Sequence, residues 1–384
     1  YKYEYSGGNM GVDLSVEILG FKLKNPLILS SGPRGWNGEA LKRAAQAGAG
    51  AVVTKTISFD PAEVPRPCIV KIGGKPITIN AVINAEKWSD LTLEDWVERE
   101  IKIAKEGGVP VIGSIWAPPR QADRIGELAE MVMDAGADMI EVPGYSPKEV
   151  ISLVGKIKEN KKVDIPVITK LALDVFEFEP YIEAAEKAGA DAISGIDTMG
   201  PALDIDVETG KPVVGSETGF GRVSGQYIFP FALYWIARTR QLTKLPILGV
   251  GGITKGTDVI KMMMAGANAV QMHTIVIIKG YEVFQKLRKE IEEYLERKGY
   301  SSIQEIIGYT QQFLIPEKIK VKYGGVVSKV DPEKCTGCKL CTQVCCWDAI
   351  HMVDKVAVSD PNKCYGCGMC VSVCPTNAIT LVEK

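Results

Sequence analysis

Residues 335–345 read CTGCKLCTQVC, and residues 364–374 read CYGCGMCVSVC. Both segments have the spacing C-x-x-C-x-x-C-x-x-x-C. At this spacing a tight loop directs three thiolates at one [4Fe–4S] cluster, while the fourth thiolate binds the neighbouring cluster. The spacing therefore predicts a small fold built around two clusters. One cluster is assigned to Cys335, Cys338, Cys341 and Cys374, and the other to Cys364, Cys367, Cys370 and Cys345.

A zinc site or a disulfide is the alternative interpretation of these cysteines. Zinc sites use pairs of C-x-x-C rather than triplets, and His351 does not have a zinc-ligand spacing. The chain resembles bacterial two-cluster ferredoxins from about Val330 to Leu381, but Cys346 stands where the first half would have proline. Whether Cys345 or Cys346 binds iron is therefore open, and the spacing favours Cys345.

The composition indicates a globular protein of two domains. The chain has 384 residues, of which 46% are hydrophobic, and a net charge of −2 with acids and bases interspersed. This balance argues against binding to nucleic acid or to a membrane surface. No apolar run reaches the roughly 18 residues of a membrane span, and no signal peptide is recognised. Because nearly all the cysteines lie in the terminal module, we expect a soluble cytoplasmic protein in a reducing compartment.

Upstream of the cysteines the chain repeats a unit of apolar strand, loop, amphipathic helix and small-residue turn with glycine. The predicted strands are Leu27–Ser30, Ala51–Lys55, Pro110–Ile115, Met139–Val142, Pro166–Lys170, Ala192–Gly195, Pro246–Val250 and Ala269–His273. Apolar strands alternating with helices predict a parallel sheet covered on both faces. We interpret the repeat as an α/β fold, a (β/α)₈ TIM barrel. An open doubly wound sheet is the alternative, since strand count does not prove closure.

The predicted domain organisation follows from these two patterns. Residues 1–24 form an N-terminal extension with the first strands, and residues 25–310 form the barrel. Residues 311–328 are a linker, and residues 329–384 form a small α+β ferredoxin-like domain. With so short a linker, electrons are expected to pass between the clusters and a group held by the barrel.

Glycine-rich turns at the ends of the last two predicted strands suggest a phosphate site. The seventh strand ends in Gly249-Val250-Gly251-Gly252, and the eighth ends before His273 and Thr274. Backbone amides at such turns, with a helix beyond, form a phosphate cradle in TIM barrels. A dinucleotide fingerprint is not recognised, because no acidic ribose partner is in place. No separate NAD site is therefore predicted.

From about Val16 to Gly308 the chain resembles the class 1 dihydroorotate dehydrogenase and dihydropyrimidine dehydrogenase family of FMN barrels. The resemblance is carried by Ser30-Ser31-Gly32-Pro33, Thr54-Lys55-Thr56, Lys170 and Val223-Ser224-Gly225. It is most similar to the dihydropyrimidine dehydrogenase part that carries a two-cluster module after the barrel. The resemblance implies FMN, with contacts from Ser30, Ser31, Lys55, Thr56, Asn80, Lys170, Asp197, Thr198, Ser224, Gly225, Gly251, Gly252, His273 and Thr274.

Three of these residues have more specific implied roles. Asn80 matches an asparagine that contacts substrate, and Asp197 stands where the family usually has asparagine. Lys170 matches the lysine that faces N1 and O2 of the flavin. A positive charge there would stabilise the anionic reduced flavin, so Lys170 is also a catalytic candidate.

The fourth strand departs from the family pattern. In the family it leads to an asparagine, a serine, a catalytic cysteine or serine, and a long mobile loop, whereas here Pro143-Gly144-Tyr145-Ser146-Pro147 runs directly into a helix. Ser146 matches the catalytic position and Tyr145 is a second candidate acid. Ser146 before Pro147 is also the pattern of an ordinary helix N-cap.

Two functions remain open from the sequence. The first is an FMN and iron–sulfur oxidoreductase that transfers a hydride between the flavin and a carbon–carbon double bond conjugated to a carbonyl, with a pyrimidine as one possible substrate. The second is an electron-relay subunit without a substrate of its own. In both cases we expect an oligomer with an FAD- and NAD(P)-binding partner subunit or an external ferredoxin, and no nucleic-acid or membrane partner.

Overall fold

The computed structural model describes residues 11–73, 80–171, 178–315 and 324–384, which form two compact units. The first unit ends at Phe313 and the second begins at Leu314. Strands and α-helices are numbered below in chain order. In the second unit, strand β17 (Val326–Val330) occupies the end of the predicted linker, so regular structure starts there earlier than predicted.

The first unit is built on a closed barrel of eight parallel strands, which excludes the open-sheet alternative. The strands are β3 (Leu27–Leu29), β4 (Ala51–Val53), β7 (Val111–Ser114), β8 (Met139–Gly144), β9 (Val167–Leu171), β10 (Ala192–Gly195), β15 (Ile247–Val250) and β16 (Ala269–Met272). They pair in this order, and β16 returns to β3. The prediction of all eight barrel strands is confirmed, with bounds that differ by at most two residues.

Helices cover the outside of the barrel. They are α1 (Gly38–Gln46), α2 (Leu93–Asp95), α3 (Ile101–Lys105), α4 (Ile125–Asp134), α5 (Pro147–Glu159), α6 (Glu179–Ala188), α7 (Phe229–Leu242), α8 (Gly256–Ala265), α9 (Thr274–Lys279) and α10 (Val283–Lys298). Each long helix turns alanine, isoleucine, leucine or valine side chains toward the strands, and these side chains are buried. In the described part of the chain, no helix is long and apolar enough to cross a membrane.

The repeated Ala-Gly-Ala turns brace the amino ends of the strands. In three of them the next residue, Asp or Asn, hydrogen-bonds the first amide of the preceding strand through its side chain. The pairs are Asp138 to Val111 (2.7 Å), Asp191 to Val167 (2.7 Å) and Asn268 to Ile247 (2.9 Å). The glycines of these turns have φ values of 113°, 78° and 125°, which disfavour other residues. In these three turns the motif recurs because the same hydrogen bond holds the start of β7, β9 and β15.

Two small antiparallel additions to the barrel were not predicted. One is a four-stranded sheet of β11 (Met199–Ala202), β14 (Gly221–Gly225), β6 (Ala81–Asn84) and β5 (Ile69–Lys71). The other is a hairpin of β12 (Ile205–Asp206) and β13 (Lys211–Pro212). A further hairpin, β1 (Val16–Ile18) with β2 (Phe21–Leu23), precedes the barrel. The four-stranded sheet matters for the site, since β6 and β14 contribute to the cavity described below.

The second unit is a pair of matched halves. Strand β17 pairs with β20 (Ile379–Glu383), and β18 (Ile350–Val353) pairs with β19 (Val356–Ser359), both antiparallel. Each half also has one short helix, α11 (Leu340–Gln343) or α12 (Met369–Val373). The small buried core of the second unit includes cysteine side chains. This arrangement confirms the small α+β domain predicted from the cysteine repeat.

Replacing Asn268 by alanine removes the oxygen that accepts the Ile247 amide hydrogen and leaves a buried donor unpaired. We expect the free energy of unfolding to fall by about 1–3 kcal/mol, measured by urea unfolding followed by far-UV circular dichroism. Asn268→Asp is the matched control, because it keeps an acceptor oxygen, as Asp138 and Asp191 do. If Asn268→Ala had the same free energy of unfolding as wild type, the bracing role of Asn268 would be contradicted.

Candidate active site and cluster cavities

A cavity of about 430 Å³ opens at the carboxyl ends of the barrel strands. Its walls come from the ends of β3, β4, β7, β8, β9, β10, β15 and β16 and from the antiparallel strands β5, β6 and β14. This is the end of a TIM barrel where active sites lie. The volume falls within the range of about 300–1,000 Å³ that small-molecule and cofactor sites occupy.

Nearly all the residues predicted to contact the cofactor line this cavity. They are Ser30, Ser31, Lys55, Thr56, Lys170, Asp197, Thr198, Ser224, Gly225, Gly251, Gly252, His273 and Thr274. Asn80 is the exception: among the described residues, those that line the cavity include Asn84 instead. The backbone amide of Asn80 donates to Gln226 Oε1 (3.0 Å), and Asn80 lies just before β6. Asn80 stays a prediction, and Asn84, at the end of that strand, is the asparagine that lines the cavity among the described residues.

One end of the cavity has hydroxyl groups and glycine turns that suit a phosphate. The hydroxyls of Ser224 and Thr274 lie 2.8 Å apart. Gly251 and Gly252 have φ values of 116° and 80°, and a side chain on Gly252 would come within 2.6 Å of the Phe229 backbone. Glycine is needed there because the turn and the start of α7 are in close contact. Hydroxyls and the backbone amides of glycine turns before a helix are the donors that a phosphate requires.

His273 links the ends of β16 and β3 as a neutral side chain. Its Nδ1 lies 2.8 Å from Ser30 O, and its Nε2 accepts the backbone N–H of Arg34 at 3.1 Å. Burial lowers the pKa of His273 to about 3; the bond to Ser30 opposes this shift, and the charges of Lys55, Lys170 and Arg34 reinforce it. The proton is thus on Nδ1, which donates to Ser30. His273 fixes the loop after β3 rather than supplying charge.

Lys170 is a buried cation on the cavity wall. Its side chain is 6% exposed, and its Nζ donates to Ser30 Oγ at 3.1 Å and lies 3.5 Å from Glu141 Oε1. Burial alone would lower the pKa of Lys170, but the charges of Glu141 and Asp197 and the contact with Glu141 outweigh it and raise the pKa. A cation held in this way suits the anionic edge of a reduced flavin.

Lys55 is paired inside the same cavity. Its ammonium group bonds to the carboxylate of Glu86 and to the carbonyl oxygen of Lys87 at 2.8 Å. Sequence reasoning missed Glu86 and Asn84, both of which line the cavity. Asn84 Nδ2 donates to Arg222 O at 3.1 Å, which ties β6 to β14. The apolar triplet Ala81–Ile83 was recognised in the sequence, and the residues that follow it, rather than the one before, reach the site.

Tyr145 and Ser146 have different surroundings. Ser146 is the N-cap of α5, where its Oγ accepts the amide of Glu149 at 3.2 Å. Of the two residues, Tyr145 lines the cavity and Ser146 does not, as far as the described residues show. Burial of the phenol group and the nearby charge of Asp197 raise the pKa of Tyr145, although half of the whole side chain is exposed. The N-cap interpretation of Ser146 is confirmed, and the proton-donor role of either residue stays a prediction.

Two tryptophans form an aromatic wall near Tyr145. The rings of Trp88 and Trp116 lie 5.0 Å apart at a tilt of 42°, and both line the cavity. Trp116 Nε1 donates to Glu149 Oε1 at 3.2 Å, and Glu149 Oε2 accepts the Tyr145 amide at 3.0 Å. Glu149 thereby orients both an aromatic ring and the candidate acid. The wall is apolar, so it suits the flat face of a planar ring.

In the second unit the predicted cluster cysteines divide between two small cavities. One is lined by Cys335, Cys338, Cys341 and Cys374, and the other by Cys345, Cys364, Cys367 and Cys370. All ten cysteines of the chain lie in described segments and are free thiols, so the disulfide alternative is excluded. Four thiols around one cavity are the donor set of a [4Fe–4S] cluster.

Backbone amides point at the thiols in a matched way in both halves. Ala349 N lies 3.3 Å from Cys345 Sγ, and Ala378 N lies 3.2 Å from Cys374 Sγ. These amides belong to the repeated Asp-Ala-Ile and Asn-Ala-Ile segments of the sequence. Cys346 is exposed and, in the described part of the chain, lines neither cavity. Its Sγ contacts Val344 O at 3.8 Å.

Comparison with known proteins places both units in known families. The family model described as dihydroorotate dehydrogenase matches residues 13–295, and the model described as 4Fe-4S binding domain matches residues 357–380. The catalytic subunit of dihydroorotate dehydrogenase B (NAD(+)) from Pyrococcus abyssi is 35% identical over 77% of this chain and 98% of its own length. The subunit of the same description from Methanothermobacter thermautotrophicus is 33% identical over 77% of this chain and 97% of its length.

These matches agree with the barrel, the cavity at its carboxyl end and the cysteine module described above. The family binds FMN, and the 4Fe-4S match indicates iron–sulfur cluster binding. FMN fits the phosphate-type cradle and the buried Lys170, and iron–sulfur clusters fit the four-thiol cavities. The chain is therefore an oxidoreductase that belongs to the dihydroorotate dehydrogenase family and carries a [4Fe–4S] ferredoxin-type domain.

Proposed function

We propose that this chain is the catalytic subunit of an FMN- and [4Fe–4S]-dependent oxidoreductase. It interconverts a single and a double carbon–carbon bond beside a carbonyl group in a small cyclic compound of the pyrimidine type. The single observation that carries the proposal is the cavity of about 430 Å³, which combines a phosphate-type cradle, a buried lysine and an aromatic wall. The relatives described as dihydroorotate dehydrogenase B act in the same substrate class.

Different residues of the cavity would hold the phosphate and the ring system of FMN. Ser224, Thr274 and the turn at Gly251 and Gly252 would hold the phosphate of FMN, and Lys170 would lie at the edge of its ring system. When bound, FMN supplies the site that accepts or donates a hydride. Lys170 stabilises negative charge at that edge, because its pKa is raised and it stays protonated.

Tyr145 is the proposed proton donor and acceptor for the substrate carbon. Its raised pKa keeps the phenol protonated at neutral pH, so it can donate a proton during reduction. In the direction of oxidation the phenolate must form, and the charge of Arg222, which lowers the pKa of Tyr145, would favour it. Trp88 and Trp116 would pack against the ring of the substrate and exclude water.

Two [4Fe–4S] clusters, one in each four-thiol cavity, would carry electrons between FMN and a partner. The relatives are described as the catalytic subunit of an NAD(+)-dependent enzyme, and a dinucleotide motif is not recognised in this sequence. An FAD- and NAD(P)-binding subunit or an external ferredoxin therefore fits as the partner. Native mass measurement of complexes purified from the source cell tests this part.

An electron-relay subunit without substrate is the second candidate. The observation that favours it is the N-cap role of Ser146, which leaves the family's usual acid position outside the cavity. A relay subunit would bind FMN and the clusters in the same way. It would not need Tyr145 or the aromatic wall.

Anaerobic addition of substrate distinguishes the two candidates. With dihydrouracil, dihydrothymine, dihydroorotate and related saturated cyclic carbonyl compounds, we expect one compound to bleach the FMN absorbance near 450 nm, because the cavity then acts as a hydride site. The spectrum is followed in a stopped-flow instrument. If no compound bleaches the flavin and reduced ferredoxin or a partner subunit does so rapidly, the relay function replaces the proposed one.

Substitutions at Tyr145 and Ser146 test the proton donor. Tyr145→Phe removes the hydroxyl and keeps the ring, so bleaching by substrate should slow by roughly 10²–10⁴-fold. Ser146→Ala should leave that rate near wild type and lower the free energy of unfolding by about 0.5–2 kcal/mol, since it removes only an N-cap. The opposite pattern, with Ser146→Ala slow and Tyr145→Phe normal, would return the role to Ser146.

Iron analysis tests which of the adjacent cysteines binds a cluster. Cys346→Ala should retain about eight iron atoms per chain, because Cys346 lines neither cavity. Cys345→Ala should lower the content to about four, since it removes one thiol of a four-thiol cavity. Iron and acid-labile sulfide are measured on anaerobically purified protein. Loss of iron in Cys346→Ala with retention in Cys345→Ala would reverse the assignment.

A further inference from the structure

Glu141 is a carboxylate buried in the interior of the barrel. It lies in the middle of β8 and its side chain is 0% exposed. A charged group without access to water is costly unless other charges and hydrogen bonds compensate it. Glu141 does not line the cavity within the described part of the chain, so it cannot be explained as a direct contact to substrate or cofactor. Its partners indicate what it does.

The two oxygens of Glu141 have different surroundings. Oε2 accepts two hydrogen bonds, from Gln271 Nε2 at 2.6 Å and from Ser194 Oγ at 3.0 Å. Oε1 has no hydrogen-bond partner among the described residues, and it lies 3.5 Å from Lys170 Nζ. Oε2 is thus hydrogen-bonded to Ser194 of β10 and Gln271 of β16, and Oε1 faces the ammonium group of Lys170 on β9.

The contacts form a closed ring around Lys170. Lys170 Nζ donates to Ser30 Oγ at 3.1 Å, and Ser30 Oγ donates to Gln271 Oε1 at 2.9 Å. The side-chain amide of Gln271 then donates to Glu141 Oε2, which closes the ring. Lys170, Ser30 and Gln271 line the cavity, whereas Glu141 and Ser194 lie behind them in the described structure. The lysine is therefore held from behind by a carboxylate and from the side by a hydroxyl.

We propose that Glu141 is a positioning residue that fixes the ammonium group of Lys170 at the cavity wall and balances its charge, and so sets the reduction potential of the flavin. This inference rests on the proposed function, in which FMN lies beside Lys170. With Glu141 in place the flavin contacts one member of an ion pair. Loss of Glu141 also lowers the pKa of Lys170, so the comparison is made on the acid side of neutrality. Where Lys170 keeps its proton, the flavin would then contact an uncompensated cation, which favours the anionic reduced flavin more strongly.

Sulfite affinity measures the charge at the flavin edge without any turnover. Sulfite adds its lone pair to N5 of the oxidised flavin, and negative charge then lies at N1 and O2. We expect Glu141→Gln, which keeps the shape and removes the charge, to bind sulfite about tenfold more tightly than wild type at pH 6.5. A tenfold change in the ratio of affinities for reduced and oxidised FMN would correspond to about 30 mV for this two-electron couple.

A double-mutant cycle tests whether Glu141 acts through Lys170. Lys170→Gln should weaken sulfite binding, and adding Glu141→Gln to Lys170→Gln should have no further effect. Glu130→Gln is the matched control, because Glu130 pairs with Lys162 on the outer surface and should bind sulfite as wild type does. An unchanged sulfite affinity in Glu141→Gln, or the same tightening on the Lys170→Gln background, would overturn the inference.

The same cycle in the apoprotein separates this inference from the proposed function. The two residues should be coupled in thermal unfolding before FMN is added, because their contact does not depend on the cofactor. Absence of coupling in the apoprotein overturns the positioning role even if the enzyme is active. Coupling in the apoprotein together with failure to bind FMN would contradict the proposed function, and with it the effect on the flavin.

Discussion

A buried ammonium group in the barrel interior is stabilised by a counter-charge and by hydrogen bonds, and this requirement organises the site around Lys170. Glu141 supplies the charge, and Ser30 and Gln271 join the two groups into a ring. The ring takes one residue from each of β8, β9 and β16 and one from the loop after β3. It can form only if the sheet closes, because β16 must return beside β3.

The closed barrel also explains why chemistry collects at one rim. Parallel strands direct all their carboxyl ends to the same side, so short polar segments far apart in sequence meet around one cavity. The hydroxyls of Ser31, Thr56 and Ser114, each following or ending a different strand, form a chain with contacts of 3.2 and 3.0 Å. The opposite rim has the Asp and Asn braces instead. One end of the barrel is thus used for binding and the other for stability.

The parts of the structure that follow from local pattern were predictable from the sequence. The barrel strands are apolar runs bounded by glycine turns, and the cysteine spacing describes a local loop geometry. The antiparallel strands β5, β6, β11 and β14 were missed because they are short and lie in long connections between barrel strands. The pairing that joins them into one sheet, β6 with β14, links segments more than 100 residues apart, such as Arg222 with Asn84.

Individual site residues were harder to predict than the site itself. Sequence spacing identified the apolar triplet of β6 but not which flanking asparagine turns into the cavity. For Ser146 the capping pattern was visible, and the hydrogen bond from the Glu149 amide confirms it, whereas a catalytic role depends on how a substrate lies in the cavity. Glu141 gave no signal, since a glutamate in an apolar strand is ambiguous until its partners from other strands are known. Burial and pairing are properties of the fold, and single-residue patterns do not contain them.

We propose that one chain holds one FMN and two [4Fe–4S] clusters that exchange electrons. Stepwise anaerobic titration with dithionite, followed by flavin absorbance and by electron paramagnetic resonance of the clusters, tests it most directly. We expect uptake of about four electrons per chain, two by FMN and one by each cluster. Complete reduction of the protein after only two electrons, with no cluster signal, would contradict it.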